Sequence, residues 1–192
     1  HQRVDIVNTD LTSAEATTAA TRTVSLSESI PQDATFDWAT ADNTANFNGF
    51  GGINKDYTQA SGTLTIAAGT TTTTIDINIL DETIDEPDQS FYVNLTNVYN
   101  AIAGDLQGEI TITDEDPPPT VSIVDVTVSE GDTATFTMTL SEYSEKEITV
   151  DWTTSEGSEG SSPGDYAGGT GSLTIPVQTP SITHDITTVE NV

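Results

Sequence analysis

Cysteine is absent from this 192-residue chain, so no disulfide and no thiolate metal site can form. Stability must come from packing or from bound ions. Basic side chains are nearly absent too. Four Lys and Arg face 31 Asp and Glu, a formal net charge of −27. That leaves almost nothing to neutralise phosphates, which excludes nucleic acid as a partner and argues against anionic membrane surfaces. No apolar run approaches the roughly 20 residues needed to span a bilayer, so no membrane insertion is expected. No signal peptide is visible at the start, and the chain begins with His1 rather than Met. Both fit a processed chain or a fragment. Hydrophobic residues make up 34%, which is low. They nevertheless recur in regular alternation, which argues for a folded chain and not for disorder.

What is plentiful is carboxylate, and it is concentrated. The run Asp81-Glu82-Thr83-Ile84-Asp85-Glu86-Pro87-Asp88 follows the alternating residues Ile75, Ile77 and Ile79, and Asp114-Glu115-Asp116 follows Ile110 and Ile112. Each acidic run therefore begins where a strand ends. Two like charges about 4 Å apart cost roughly 4 kcal/mol at an effective dielectric of about 20. Such a cluster is either spread into solvent or neutralised by a hard cation, and loops offering only oxygen ligands suit calcium.

The same unit occurs twice. Phe36-Asp37-Trp38-Ala39-Thr40 matches Val150-Asp151-Trp152-Thr153-Thr154. Asp56-Tyr57 followed by Gly62-Thr63-Leu64-Thr65-Ile66 matches Asp165-Tyr166 followed by Gly171-Ser172-Leu173-Thr174-Ile175. The period is that of one sandwich domain. Period-two segments at 23–27, 35–40, 63–66, 75–80, 91–96 and 109–113 read as strands, with Phe91, Val93 and Leu95 on one face and Tyr92, Asn94 and Thr96 on the other. No segment carries a convincing helical period. The expected fold class is all-β: two tandem immunoglobulin-like antiparallel sandwiches. The first spans 1–116, a proline-rich linker 117–120, and the second 121–192. Three consecutive prolines make that linker stiff and extended. The apolar phase flips between Ile123 and Val124, which calls for a bulge or for a strand that changes sheets. Gapless matching of the tail puts Ile186 on Ile77, Glu190 on Asp81 and Asn191 on Glu82. The second copy therefore has no counterpart of 91–98 or 109–113; the incomplete sandwich is expected either because the sequence is a fragment, or the ordered part, of a longer chain, or because a neighbouring subunit supplies the missing strands.

The remaining motifs read as ordinary structure. Thr70 to Thr74 is a turn and strand start, since threonine favours strands. Asn94-Leu95-Thr96 fits a glycosylation sequon but lies within a strand. Trp38 and Trp152 occupy equivalent strand positions and are expected in the cores. His1 and His184 could together suggest copper, but His184 is expected at an outward strand position. Paired carboxylates can do glycosidase chemistry; here they sit in loops that cation binding already explains, and no enzyme is expected.

Taken in order, these pieces resemble the Calx-beta family: Val128-Ser129-Glu130-Gly131-Asp132, the Asp-Tyr pairs, the Gly-Thr-Leu-Thr-Ile strand, the acidic loop 81–86, Phe91-Tyr92-Val93-Asn94-Leu95, and Ile112-Thr113-Asp114-Glu115-Asp116. The resemblance covers essentially the whole chain. It implies a seven-stranded sandwich with calcium ions held by loops at one end. By position, the implied ligands in the first copy are Asp56, Asp81, Glu82, Glu86, Asp114, Glu115 and Asp116, with Glu15 nearest the family's early glutamate but one residue out of spacing. The second copy retains Glu130 and Asp165. Gln89 stands where strong calcium binders carry another carboxylate.

The expected function is that of a calcium-binding structural module of an extracellular or cell-surface protein, an adhesin or a filament. Its expected partners are calcium, neighbouring domains or subunits of the same protein, and cell-surface or matrix ligands. A calcium sensor regulating a partner domain, and a filament subunit completed by donated strands, are the alternatives.

Overall fold

A computed structural model of the chain describes residues 3–6, 11–49, 54–156 and 164–190; His1 and Asn191 lie outside them. Among the described residues there is no helix, and so none long and apolar enough to cross a membrane. The fold is all-β. The chain separates into two compact units, His1–Thr83 with Pro87–Glu115, and Ile84–Glu86 with Asp116–Val192.

The first unit contains β1 (Arg3–Ile6), β2 (Leu11–Ala14), β3 (Ala20–Leu26), β4 (Ala34–Asp42), β5 (Ser61–Ile66), β6 (Thr72–Ile77), β7 (Gln89–Tyr99), β8 (Ile102–Ala103) and β9 (Gln107–Thr113). They form two sheets, in the orders β6-β3-β1-β8 and β2-β9-β7-β4-β5. Period-two patterning decides which residues face inward. In β7, Phe91, Val93 and Leu95 are 0, 0 and 3% exposed, while Tyr92, Asn94 and Thr96 face out. Each fully buried side chain of this size contributes roughly 1.5–3 kcal/mol. Phe91 stacks on Tyr57 with ring centroids 4.0 Å apart. Phe36, Ile66, Ile75, Ile77, Ile110 and Ile112 complete the core.

The strands that sequence periodicity misses are β1, β2 and β8. They are two to four residues long, too short to display a period. β1 pairs antiparallel with β3, whereas β2 pairs parallel with β9, so the opening segment of the chain serves both sheets. Further along, β7 carries one extra residue opposite β4. The bulge leaves Asn97 in the left-handed region (φ 51°), which asparagine tolerates better than most residues. It also turns the Asn97 amide onto Asp37, 2.7 Å away. This bond and one from the Thr63 hydroxyl hold the exposed Asp37 carboxyl below its ordinary value.

The second unit contains β10 (Val121–Ile123), β11 (Thr133–Leu140), β12 (Ile148–Thr153), β13 (Thr170–Ile175) and β14 (Ser181–Thr187), in sheets β10-β11-β14 and β12-β13. The register repeats that of the first unit: Ala134 faces Ile186 as Ala20 faces Ile77, and the bridge Tyr166–Thr188 repeats Tyr57–Ile79. The tail match of Ile186 with Ile77 is thus seen in space.

The phase flip after Ile123 has a specific outcome. β10 ends there, and 124–129 joins no strand. In the first unit the comparable run, β2, is held by β9. Among the described residues the second unit has no strand in that place.

His184 departs from expectation: it faces inward. It alternates in step with Ile182 and Ile186, and its ring lies 4.3 Å from that of Trp152. Its counterpart across the tail match is the buried Ile75. Within the same unit, Asp85 is 5% exposed and accepts hydrogen bonds from Lys146 Nζ (2.6 Å) and Ser144 Oγ (2.8 Å).

Candidate metal centre

Strand pairing explains how distant carboxylates meet. Glu15 follows the last residue of β2, and β2 runs parallel to β9, so Glu15 is delivered beside the end of β9. Its backbone N–H donates to the Thr113 carbonyl at 3.2 Å. The Glu115 side chain then closes the corner, accepting from the backbone N–H of Glu15 (3.1 Å) and of Ala16 (2.6 Å). The acidic loop is anchored at both ends. Leu80 N–H donates to the Asp56 carbonyl at 3.0 Å, and the Asp88 carboxylate accepts from Asp114 N–H at 3.3 Å.

Two groups of carboxylates result. Oxygens of Glu15, Asp114 and Asp116 lie within 4.8 Å of one another, and so do oxygens of Glu15, Glu82 and Glu86. Glu15 belongs to both. It is 4% exposed and Glu86 1%. Solvent therefore does little to screen these charges, and each close pair costs roughly 4 kcal/mol at 4 Å and an effective dielectric of about 20. Of the four basic residues, Arg3 Nε bonds Asp5 at 2.8 Å and Lys146 Nζ bonds Asp85 at 2.6 Å, while Arg22 of β3 is buried.

The donor set fits calcium. Every ligand is a carboxylate oxygen, without the nitrogen or sulfur that transition metals favour. Calcium–oxygen distances are about 2.3–2.6 Å, so two oxygens on one ion lie up to about 5 Å apart, which spans the separation within each trio. Such an ion would be held by Glu15 with Asp114 and Asp116, or by Glu15 with Glu82 and Glu86.

Of the residues singled out in the sequence, then, Glu15, Glu82, Glu86, Asp114 and Asp116 are brought together. Asp56, Asp81 and Glu115 belong to neither trio. Asp56 is buried and accepts from Asn46 N–H at 2.5 Å, which ties it to the loop after β4. Glu115 clamps the β2 corner. Asp81 is exposed. In the second unit, Glu130 is exposed and Asp165 half-buried, and among the described residues neither enters an acidic trio. The part played by Glu115 has no sequence signal; it emerges only once β2 is known to lie beside β9.

A family model for the Calx-beta domain matches residues 1–116 and again 114–191. The chain belongs to the Calx-beta family. Solved Calx structures have the same fold. One described as the apo-form Calx CBD1 domain is 21% identical, covering 60% of this chain and 98% of that one at a TM-score of 0.54. The calcium binding domain CBD12 of CALX1.1 is 21% identical over 95% of this chain and 74% of that one, also at 0.54. CBD12 from CALX1.2 is 20% identical over 99% and 76%, again at 0.54. The last two are tandem structures, like the double Calx-beta match here. No curated protein matches the chain.

Proposed function

We propose that the first Calx-beta segment, residues 1–116, binds Ca2+ through Glu15, Glu82, Glu86, Asp114 and Asp116, and that the chain is a calcium-stiffened structural module of an extracellular surface protein, an adhesin or a filament. The observation that carries this reading is Glu15, a buried glutamate shared by two carboxylate trios. The likeness to a structure described as a calcium binding domain supports it. So does the charge of −27, which suits surroundings rich in divalent cations. The bound ion supplies positive charge that removes the repulsion and orders the acidic loop. Glu115 and Asp88 hold the loops in position for it. Extracellular modules bind calcium with Kd of about 10⁻⁴–10⁻³ M.

Calorimetric titration with millimolar CaCl2 tests the proposal, together with melting in calcium and in EDTA. Heat release and a higher Tm in calcium are expected, both lost in Glu15→Gln. No heat and an unchanged Tm would reject it. A sensor role would instead give a sub-micromolar midpoint and a calcium-dependent change in small-angle scattering.

A further inference from the structure

Of the ten asparagines in the chain, Asn48 alone precedes a glycine, and the fold restrains the others in ways that it does not restrain Asn48. Asn43, Asn97 and Asn100 donate their side-chain amides to Ser90 Oγ (2.8 Å), Asp37 (2.7 Å) and the Asp33 carbonyl (2.9 Å). Asn94 Oδ1 accepts from Gln107 Nε2 at 2.8 Å. Asn46 is followed by Phe47, whose N–H is held by Asp42 at 3.1 Å. Asn78 is exposed but precedes the buried, branched Ile79. Asn48 is exposed, and among the described residues neither its side chain nor the Gly49 N–H takes part in a hydrogen bond. Gly49 sits in the left-handed region at φ 63° and has no Cβ to shield its nitrogen. The chain just before is anchored. Phe47 is bonded to Asp42, and its ring meets that of Tyr57 edge-on with centroids 6.3 Å apart. Asn48 is thus the first residue past a fixed point.

We propose that Asn48-Gly49 is a self-modifying site, at which the folded chain converts Asn48 to aspartate and isoaspartate with water as the only co-reactant. The Gly49 nitrogen attacks Asn48 Cγ. A Cγ–N bond forms, the Cγ–Nδ2 bond breaks, and Nδ2 leaves as ammonia with the proton that the Gly49 nitrogen gives up. The product is a cyclic succinimide. Water then opens the ring at one of two bonds. Breaking the new Cγ–N bond gives aspartate. Breaking the original peptide bond to Gly49 gives isoaspartate, whose backbone runs through Cγ and is one carbon longer. Either product adds one negative charge to a chain already at −27. The charge arrives in the loop that Asp56 grips at Asn46: Asn46 N–H donates to the Asp56 carboxylate at 2.5 Å, and Asp56 N–H donates to the Asn46 carbonyl at 3.3 Å. Side-chain amides are thermolabile, and covalent changes of this kind alter the charge argument for the segment that carries them. The modified fraction at residue 48 therefore grows with the age of the molecule.

The test keeps the full chain folded in mildly alkaline buffer made with heavy-oxygen water, and uses the same chain unfolded in urea as the reference. Intact mass spectrometry reads the exchange of an amide NH2 for OH, and peptide mapping after digestion locates it. The folded chain should convert at residue 48 within about tenfold of the unfolded rate. Both aspartate and isoaspartate should appear, each with one heavy oxygen taken from water. Asn97 and Asn100 should stay amides in the folded chain, and Asn48→Gln should abolish the early mass gain without changing the melting curve. The proposal falls if the Asn48 amide survives in the folded chain, whether or not it is lost in urea. It falls also if the gain maps to another asparagine, or if aspartate forms without isoaspartate, which would mean direct hydrolysis and no ring.

Discussion

The two units carry one pattern with two outcomes. In the first, a tryptophan-bearing strand sits between two neighbours, and Phe91, Val93 and Leu95 fill the core beside it. In the second, the equivalent strand has one neighbour among the described residues, and Trp152, Tyr166 and His184 look into a cavity. Sheet pairing and core filling are thus separable. Residues that make β11, β12, β13 and β14 pair in register are present in both copies. Residues that close the sandwich sit on β7 and β9, which have no counterpart among the described residues of the second unit. The same two strands also bring the carboxylates to the site, since β9 delivers Asp114 and Asp116 and β7 follows the acidic loop. Among the described residues, a closed core and the two carboxylate trios therefore both go with the first Calx-beta segment, residues 1–116, and neither is found in the second.

The most damaging way to probe this contrast is Phe91→Ala. It deletes the ring stacked on Tyr57 and leaves a cavity in the first unit like that of the second. A loss of about 3–5 kcal/mol is expected, read by calorimetry as a collapse of one transition. A loss under about 1 kcal/mol would mean that β7 does not hold the core together. Next comes calcium. At free calcium about 100-fold above Kd, the first unit should gain about 2.7 kcal/mol. Glu15→Gln should abolish the gain, and Glu130→Gln in the second unit should leave it intact. Equal sensitivity of both variants would erase the distinction between the units.

A pair of glycines sharpens the comparison further. Gly62 and Gly171 lie opposite Trp38 and Trp152. A Cβ would come within 3.3 Å of the first indole and 2.8 Å of the second. By distance alone, Gly171→Ala should be worse. Trp152, however, has a cavity to move into, whereas Trp38 packs against a filled core. Gly62→Ala should therefore cost about 1–2 kcal/mol and Gly171→Ala less, with a larger change in indole fluorescence. The reverse order would show that the cavity is closed in solution.

The smallest effect is a pH dependence confined to the first unit. Burial, together with the hydrogen bond to Asp42, raises the Tyr57 phenol well above its ordinary value of 10.0. A raised folded value means that its contribution is complete below pH 10 and is lost as pH rises beyond it. Tyr57→Phe should flatten the alkaline limb of the melting curve above about pH 10.

Much of this was legible in the residues themselves. Alternation in Phe91-Tyr92-Val93-Asn94-Leu95 gives the buried face directly, and the repeated Trp and Asp-Tyr positions give the tandem architecture. Short edge strands such as β8 escape because two residues carry no period. For His184, step-two spacing from Ile182 and Ile186 pointed inward, but a histidine reads as polar and the outward reading prevailed. The acidic runs announce a charged loop without apportioning its members. Within 81–88, Glu82 and Glu86 go to the carboxylate trio while Asp85, between them, bonds Lys146 and Ser144. That division depends on which groups lie across from each side chain, information held sixty residues away.

Glu15 is a single residue with two memberships. Charge arriving in either trio changes the field at the other, and by thermodynamic reciprocity each alters the other's occupancy equally. Titration of the acidic end should follow a curve for linked positions, and two independent isotherms would not describe it.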